Sequence, residues 1–204
     1  MMRKNSTFVL IAALLLCFCK FAWGQGNAEA AKFSRDGFQA TKDKDWNKAV
    51  DAFHKASELD HKQTPNLVAV LQQRGTAYAN EQKFPEAIAD FSEALKLKPD
   101  DATIYERRAV VEMKMKDLDK ALADYSSAIK LKPDDVQYYL HRSSIYERKS
   151  DIKNSMADTE KALKLDKHNA EALSRKERLQ KIQSMNAPLP PPPPPPRPAA
   201  SKSP

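Results

Sequence analysis

Cysteine and glycine are nearly missing from this 204-residue chain, which has 2 of the first and 4 of the second. Two cysteines exclude a disulfide-dense scaffold and a four-thiolate zinc site. Four glycines fall well below the average share of about 7%, which argues against architectures built on many tight turns or on glycine-rich phosphate loops. An all-helical chain is the natural reading. Catalytic signatures are missing as well. His54, His61, His141 and His168 lack ligand spacing, and there is no His-Glu-x-x-His, Gly-x-Ser-x-Gly or phosphate-loop sequence. The expectation is a non-enzyme with no catalytic residues, no cofactor and no metal.

No apolar run is long enough to span a bilayer, which takes about 20 residues. The longest, Phe8 to Cys19, comes after Arg3 and Lys4 and precedes Ala22 and Gly24, two small residues around Trp23. That order reads as a secretory signal over residues 1–24, with cleavage favoured after Gly24 over Ala28 or Ala30. Both cysteines, Cys17 and Cys19, lie inside it, so the cleaved chain has no thiol and suits an oxidising compartment. The alternatives are an uncleaved anchor or a lipoprotein acylated at Cys17. The expected location is secreted or periplasmic, with no integral membrane span after cleavage.

What the chain does have is a period of 34 residues. That shift superimposes Ala94-Leu95-Lys96-Leu97-Lys98-Pro99-Asp100-Asp101 on Ala128-Ile129-Lys130-Leu131-Lys132-Pro133-Asp134-Asp135. It also carries Ala87 to Ala121, Phe91 to Tyr125 to Thr159, and Leu71 to Tyr105 to Tyr139. Repeats therefore fall at 68–101, 102–135 and 136–169. An earlier one at 30–63 has Phe33, Gly37, Trp46, Ala49, Phe53 and Ala56 in register, with four extra residues, Thr64 to Leu67, after it. Apolar spacings of three and four, as in Ala87, Phe91, Ala94 and Leu95, mark helices. Two fit each repeat, small residues such as Gly75, Ala109 and Ser143 lying where close approach is needed. Pro99 and Pro133 stop the second helix, and the Asp pair after each can cap the next.

These columns resemble the tetratricopeptide repeat. Repeat 68–101 matches through Leu71, Gly75, Tyr78, Ala87, Phe91, Ala94 and Pro99. Repeat 136–169 departs, with Ser155, Thr159 and Lys167 for the Ala, aromatic and Pro, and is expected to pack more loosely. Repeat 30–63 has Ala40 and His61 in place of the Tyr and Pro. The resemblance implies an all-α, right-handed α-solenoid of helix-turn-helix units over residues 30–184, closed by a cap helix at 170–184 that carries Ala172, Leu173, Leu179 and Ile182 on one side. Residues 25–29 read as a linker and 185–204 as a proline-rich disordered tail.

Arg74, Arg108 and Arg142 recur with the period, and so do Asp90, Asp124 and Asp158 sixteen residues on; the first repeat, with Asp36 and Ala52, lacks both members. Ion pairs within each repeat are the preferred reading over a shared anion site. The family's groove columns project onto Ser34, Phe38 and Thr41; Gln72, Thr76 and Ala79; Glu106, Val110 and Met113; and Leu140, Ser144 and Glu147. Apolar Phe38, Val110, Met113 and Leu140 on such a surface point to peptide binding. The subclass that clamps a peptide's terminal carboxylate uses Lys and Asn in this groove, where this chain has Ser34 and Phe38, so an internal or extended segment is favoured.

The net charge of +7 comes largely from the ends: without Arg3, Lys4, Lys20, Arg197 and Lys202 it is +2 on residues 25–187. Basic and acidic residues alternate in the repeats, so nucleic acid is not an expected partner. Pro190 to Pro196, with Arg197 and Pro198, reads as a semi-rigid spacer or envelope tether, the proline-x-x-proline-x-Arg ligand of aromatic-grooved domains being the alternative. The functional expectation is a non-enzymatic adaptor or scaffold that binds a protein or peptide segment in its groove. The alternatives are a self-associating structural or assembly factor of the cell envelope, or an accessory subunit of an envelope enzyme.

Overall fold

A computed structural model describes residues 26–186, so the signal segment and the proline run lie outside the described residues. Among the described residues nine α-helices succeed one another: α1 (26–42), α2 (Trp46–Leu59), α3 (Thr64–Asn80), α4 (Phe84–Leu97), α5 (Ala102–Lys114), α6 (Leu118–Leu131), α7 (Val136–Arg148), α8 (Ile152–Leu165) and α9 (Ala170–Met185). A 3-10 turn, His61–Gln63, joins α2 to α3. From α2 onward each helix packs chiefly on its neighbours in the chain, which makes the molecule an α-solenoid. No helix among the described residues is long and apolar enough to cross a membrane.

Local chemistry sets the boundaries. The second Asp of each pair caps the next helix: Asp101 accepts from the Thr103 amide and Asp135 from the Gln137 amide. Asp45, Asp117, Asp151 and Asn169 cap α2, α6, α8 and α9 in the same way. Pro65 and Pro85 sit in first turns, where no backbone donor is needed. Two boundaries differ from the sequence expectation. Residues 26–29, expected as a linker, belong to α1. The four residues after the first repeat are helical as well, and lengthen α3 to 17 residues against 13 for α5 and α7.

Scarce glycine does not mean scarce tight turns, contrary to the expectation from composition. Tight turns join the helices of every repeat, and each contains a left-handed residue that is not glycine: Lys44 (φ 58°), Gln82 (62°), Lys116 (65°) and Ser150 (60°). The next amide closes the turn on the carbonyl five residues back, as Asp117 does on Glu112 at 2.9 Å and Asp151 on Tyr146 at 2.8 Å.

Packing within repeats obeys a size rule. A Cβ on Gly37 would stand 2.9 Å from the Phe53 ring, and one on Gly75 would stand 3.0 Å from the Phe91 ring. In later repeats the small residue grows as its partner column changes, to Ala109 with Tyr125 and Ser143 with Thr159. The looser packing expected of repeat 136–169 is not what the structure contains. Ser143, Ser155 and Thr159 are wholly buried, and the Ser143 hydroxyl lies 3.0 Å from that of Ser155 and 2.8 Å from that of Thr159. Hydroxyl bonds occupy the space that a ring fills elsewhere.

Candidate functional site

The first helix of each repeat, α1, α3, α5 and α7, carries the groove columns, but the structure brings only some of them together. Thr76 and Ala79 on α3 face Glu106 and Val110 on α5 across a cleft of ~300 Å³, whose walls include Asn80, Thr103, Arg107 and Lys114. Val110, at 39% exposure, is the apolar floor. Arg107 spans the cleft, its Nη1 donating to the Thr76 hydroxyl at 3.0 Å. Gln72 lies apart from this group, in a second cleft of ~570 Å³ that the longer α3 forms with His61, Leu97 and Lys98. Phe38 is half exposed and meets Phe53 edge-on, with ring centroids 5.1 Å apart. Its neighbours in sequence are engaged: Ser34 is buried and donates to Gln63 at 2.9 Å, and the Thr41 hydroxyl donates to the Gly37 carbonyl at 2.8 Å.

At the C-terminal end the groove columns are covered, so the expected lining there needs correction. Leu140 is 1% exposed and belongs to the core. It packs in the cluster with Tyr125, Ile145 and, on the cap helix α9, Ala172; from α9 Arg175 also reaches back, its Nη1 donating to the Leu140 carbonyl at 2.5 Å. Glu147 is engaged as well, accepting from Arg178 Nε at 2.7 Å and Nη2 at 2.9 Å. That hydrogen-bonded guanidinium holds the Glu147 carboxyl below the ordinary range. Met113 is half-buried and packs on the C-terminal core cluster, and Ser144 is half-buried. The open groove therefore lies on α3 and α5.

The periodic arginines form pairs within repeats. Arg74 grips Asp90 with two bonds of 2.9 and 2.7 Å, Arg108 grips Asp124 with two of 2.7 Å, and Arg142 grips Asp158 with two of 2.8 Å. Each third nitrogen donates to the preceding repeat, at Asn47, Ser92 and Ser126 in turn, over 3.0–3.1 Å. With their donors engaged by neighbours and their aspartates nearly buried, these arginines hold register between three helices. Their pKa values are raised, first by the Asp bond in each case.

Glu112 and Tyr125 each bury a polar atom without a partner among the described residues, and the first of them escaped the sequence reading. Glu112 stands in the column of Tyr78 and Tyr146, is 3% exposed, and leaves Oε2 without a partner among the described residues. Burial, reinforced by Asp124 and opposed by Arg108, pushes its carboxyl up to about 7. The signal was visible as an acid in a tyrosine column. Tyr125 is wholly buried with an unpartnered hydroxyl, stacks on His141 at 5.4 Å, and has its pKa raised by burial. Neither group faces the open cleft. No cluster of three or more His, Cys, Asp or Glu able to hold a metal occurs among the described residues.

Comparison with known proteins agrees with this architecture. Residues 73–136 and 136–169 match tetratricopeptide-repeat family models. A 70-residue stretch is 33% identical to Hsp70-Hsp90 organizing protein 3 of Arabidopsis thaliana, covering 33% of this chain but 12% of that protein. Among solved structures, a tetratricopeptide repeat protein from Parabacteroides merdae superimposes with TM-score 0.62 at 20% identity, over 78% of this chain and 61% of that one. The first such domain of Spaghetti, bound to the HSP90 peptide SRMEEVD, superimposes with TM-score 0.53 at 21% identity, over 57% of this chain and 93% of that one. Residues 73–169 are thus tetratricopeptide repeats, set in an α-solenoid of that fold.

Proposed function

We propose that this chain is an exported, non-enzymatic adaptor whose groove between α3 and α5 holds a segment of another protein. The observation that carries the reading is the cleft itself: an exposed Val110 floor, framed by side chains with unused donors, on a surface that the neighbouring repeats leave open. The same fold holds a peptide in the Spaghetti domain. Export rests on the positive start and apolar run of residues 1–24, and a secreted or periplasmic location goes with it. End-on self-assembly through α9 is disfavoured by Glu177. That carboxylate occupies the column of Gly75, Ala109 and Ser143, where a further second helix would need a small residue.

The test is site-specific photo-crosslinking in intact cells. A photoreactive residue at Val110 should yield one discrete adduct, whereas the same residue at the exposed Lys130 on α6 should not. Equal adduct patterns from both positions would remove the groove from consideration.

A further inference from the structure

We infer that the α3–α5 cleft selects an acidic segment of the form acid-x-apolar-x-acid. This rests on the groove reading above and deepens it. Arg107, Val110 and Lys114 have the i, i+3, i+7 spacing, so they lie in one stripe on α5 with the apolar residue between two cations. Opposite them on α3 stand Thr76, Ala79 and Asn80. Arg107 gives one nitrogen to Thr76, and neither it nor Lys114 pairs with a carboxylate among the described residues. By contrast, Arg74, Arg108, Arg142 and Arg178 are all paired. Glu106 is the one acid among the described residues of the lining, so the two cations outnumber it. The face of the cleft around Val110 therefore offers two cations and an apolar floor.

Spacing then constrains the ligand. Seven helical residues set the Arg107 and Lys114 backbones ~10 Å apart. In an extended peptide alternate side chains share a face, and residues four apart are separated by ~13 Å. The long cationic side chains absorb that difference, so two acids can reach Arg107 and Lys114 while the apolar residue midway sits over Val110. The carboxylates are those of side chains, and no peptide terminus is required.

The experiment is fluorescence anisotropy on the full chain with a fluorescein-labelled peptide whose core is aspartate-serine-leucine-serine-aspartate. A control peptide has both aspartates replaced by asparagine. Arg107→Glu with Lys114→Glu, both at exposed positions, should weaken the aspartate peptide at least ~10-fold, as should the asparagine replacement, and added sodium chloride should weaken it further. Circular dichroism confirms that the variants remain folded. Equal binding of both peptides, lost in Val110→Glu, would overturn the acidic preference and leave the groove reading standing. Binding that survives Val110→Glu, or no binding of either peptide, would overturn both.

Discussion

The α3–α5 and α7–α9 sections share one repeat plan and end in different states. Between α3 and α5 the groove columns stay open, with Val110 exposed and Arg107 and Lys114 without carboxylate partners among the described residues. Between α7 and α9 the equivalent columns are closed, because Arg175 and Arg178 reach back from the cap helix to Leu140 and Glu147. The difference lies in the helix that faces each first helix across the groove. On α5 one arginine, Arg107, crosses to Thr76 while Val110 stays exposed, whereas α9 has arginines in both of those columns, Arg175 in that of Arg107 and Arg178 in that of Val110. Capping the array at this end fills the groove of the last repeat.

The largest test of that contrast places the same charge on both sections. Leu140→Glu buries a carboxylate in the C-terminal core, with an expected loss of ~3–5 kcal/mol. Val110→Glu puts the same group on an exposed floor and should change stability by no more than ~0.5 kcal/mol. Urea denaturation monitored by circular dichroism measures both. Similar losses at the two positions would mean that the α3–α5 cleft is as closed as the other.

A second comparison sets a buried ion pair against an exposed one. Arg108→Ala leaves Asp124, 6% exposed, without its partner and brings it into conflict with nearby Glu112, so a loss of ~3 kcal/mol is expected. Arg178→Ala removes a pair whose arginine is 50% exposed, which should cost below ~1 kcal/mol while releasing Glu147 into the groove. Charge reversal at Arg178 then separates the two roles of α9. If the end closes by charge alone, Arg178→Glu should expose residues near Glu147 to hydrogen exchange with little change in overall stability.

What the sequence made legible were features tied to the period. The 34-residue shift placed the helices, and the Arg–Asp pairs came with it because both members recur sixteen residues apart and vanish together in the first repeat. Where the period is broken, reading along the columns failed. Leu140 looked like groove lining because its column holds the half-buried polar residues Gln72 and Glu106 in the two preceding repeats, whereas here an apolar residue turns into the core. The left-handed turns were hidden because Lys, Gln and Ser hold a conformation that glycine would announce. The four residues after the first repeat looked like an insertion between repeats, although they extend a helix by one turn.

Glu112 makes the two sections differ with pH. In the folded chain its carboxyl titrates at about 7, against 4.5 for the free side chain, so the folded state binds the proton more tightly. The stabilisation is therefore fully present below about pH 4.5 and is lost as pH rises through about 7. Glu112→Gln should remove this slope and stabilise the protein at pH ~8 by ~1–3 kcal/mol, with little effect at pH ~4.5. The corresponding residue of α7 is Tyr146, so hydrogen exchange should show the pH-dependent loosening at α5 and α6 and not at α7 and α8. A slope unchanged by Glu112→Gln would assign the effect to other groups.

The smallest expected effect concerns a feature that both sections share. Lys116 turns α5 into α6 at φ 65°, and Ser150 turns α7 into α8 at φ 60°. Holding that conformation costs an L-residue with a side chain ~1 kcal/mol, and glycine holds it without a Cβ clash. Glycine also loses more backbone freedom on folding, so the net gain for Lys116→Gly or Ser150→Gly should be ~0.5–1 kcal/mol. The two gains should be equal within error, because the strain is local to the turn and both turns close with the same backbone bond. A gain at Lys116 alone would mean that the Ser150 turn is held by its surroundings, tying the closed end of the groove to the turn behind it. Equal gains would confine the difference between the sections to the groove-facing side chains and the helix packed against them.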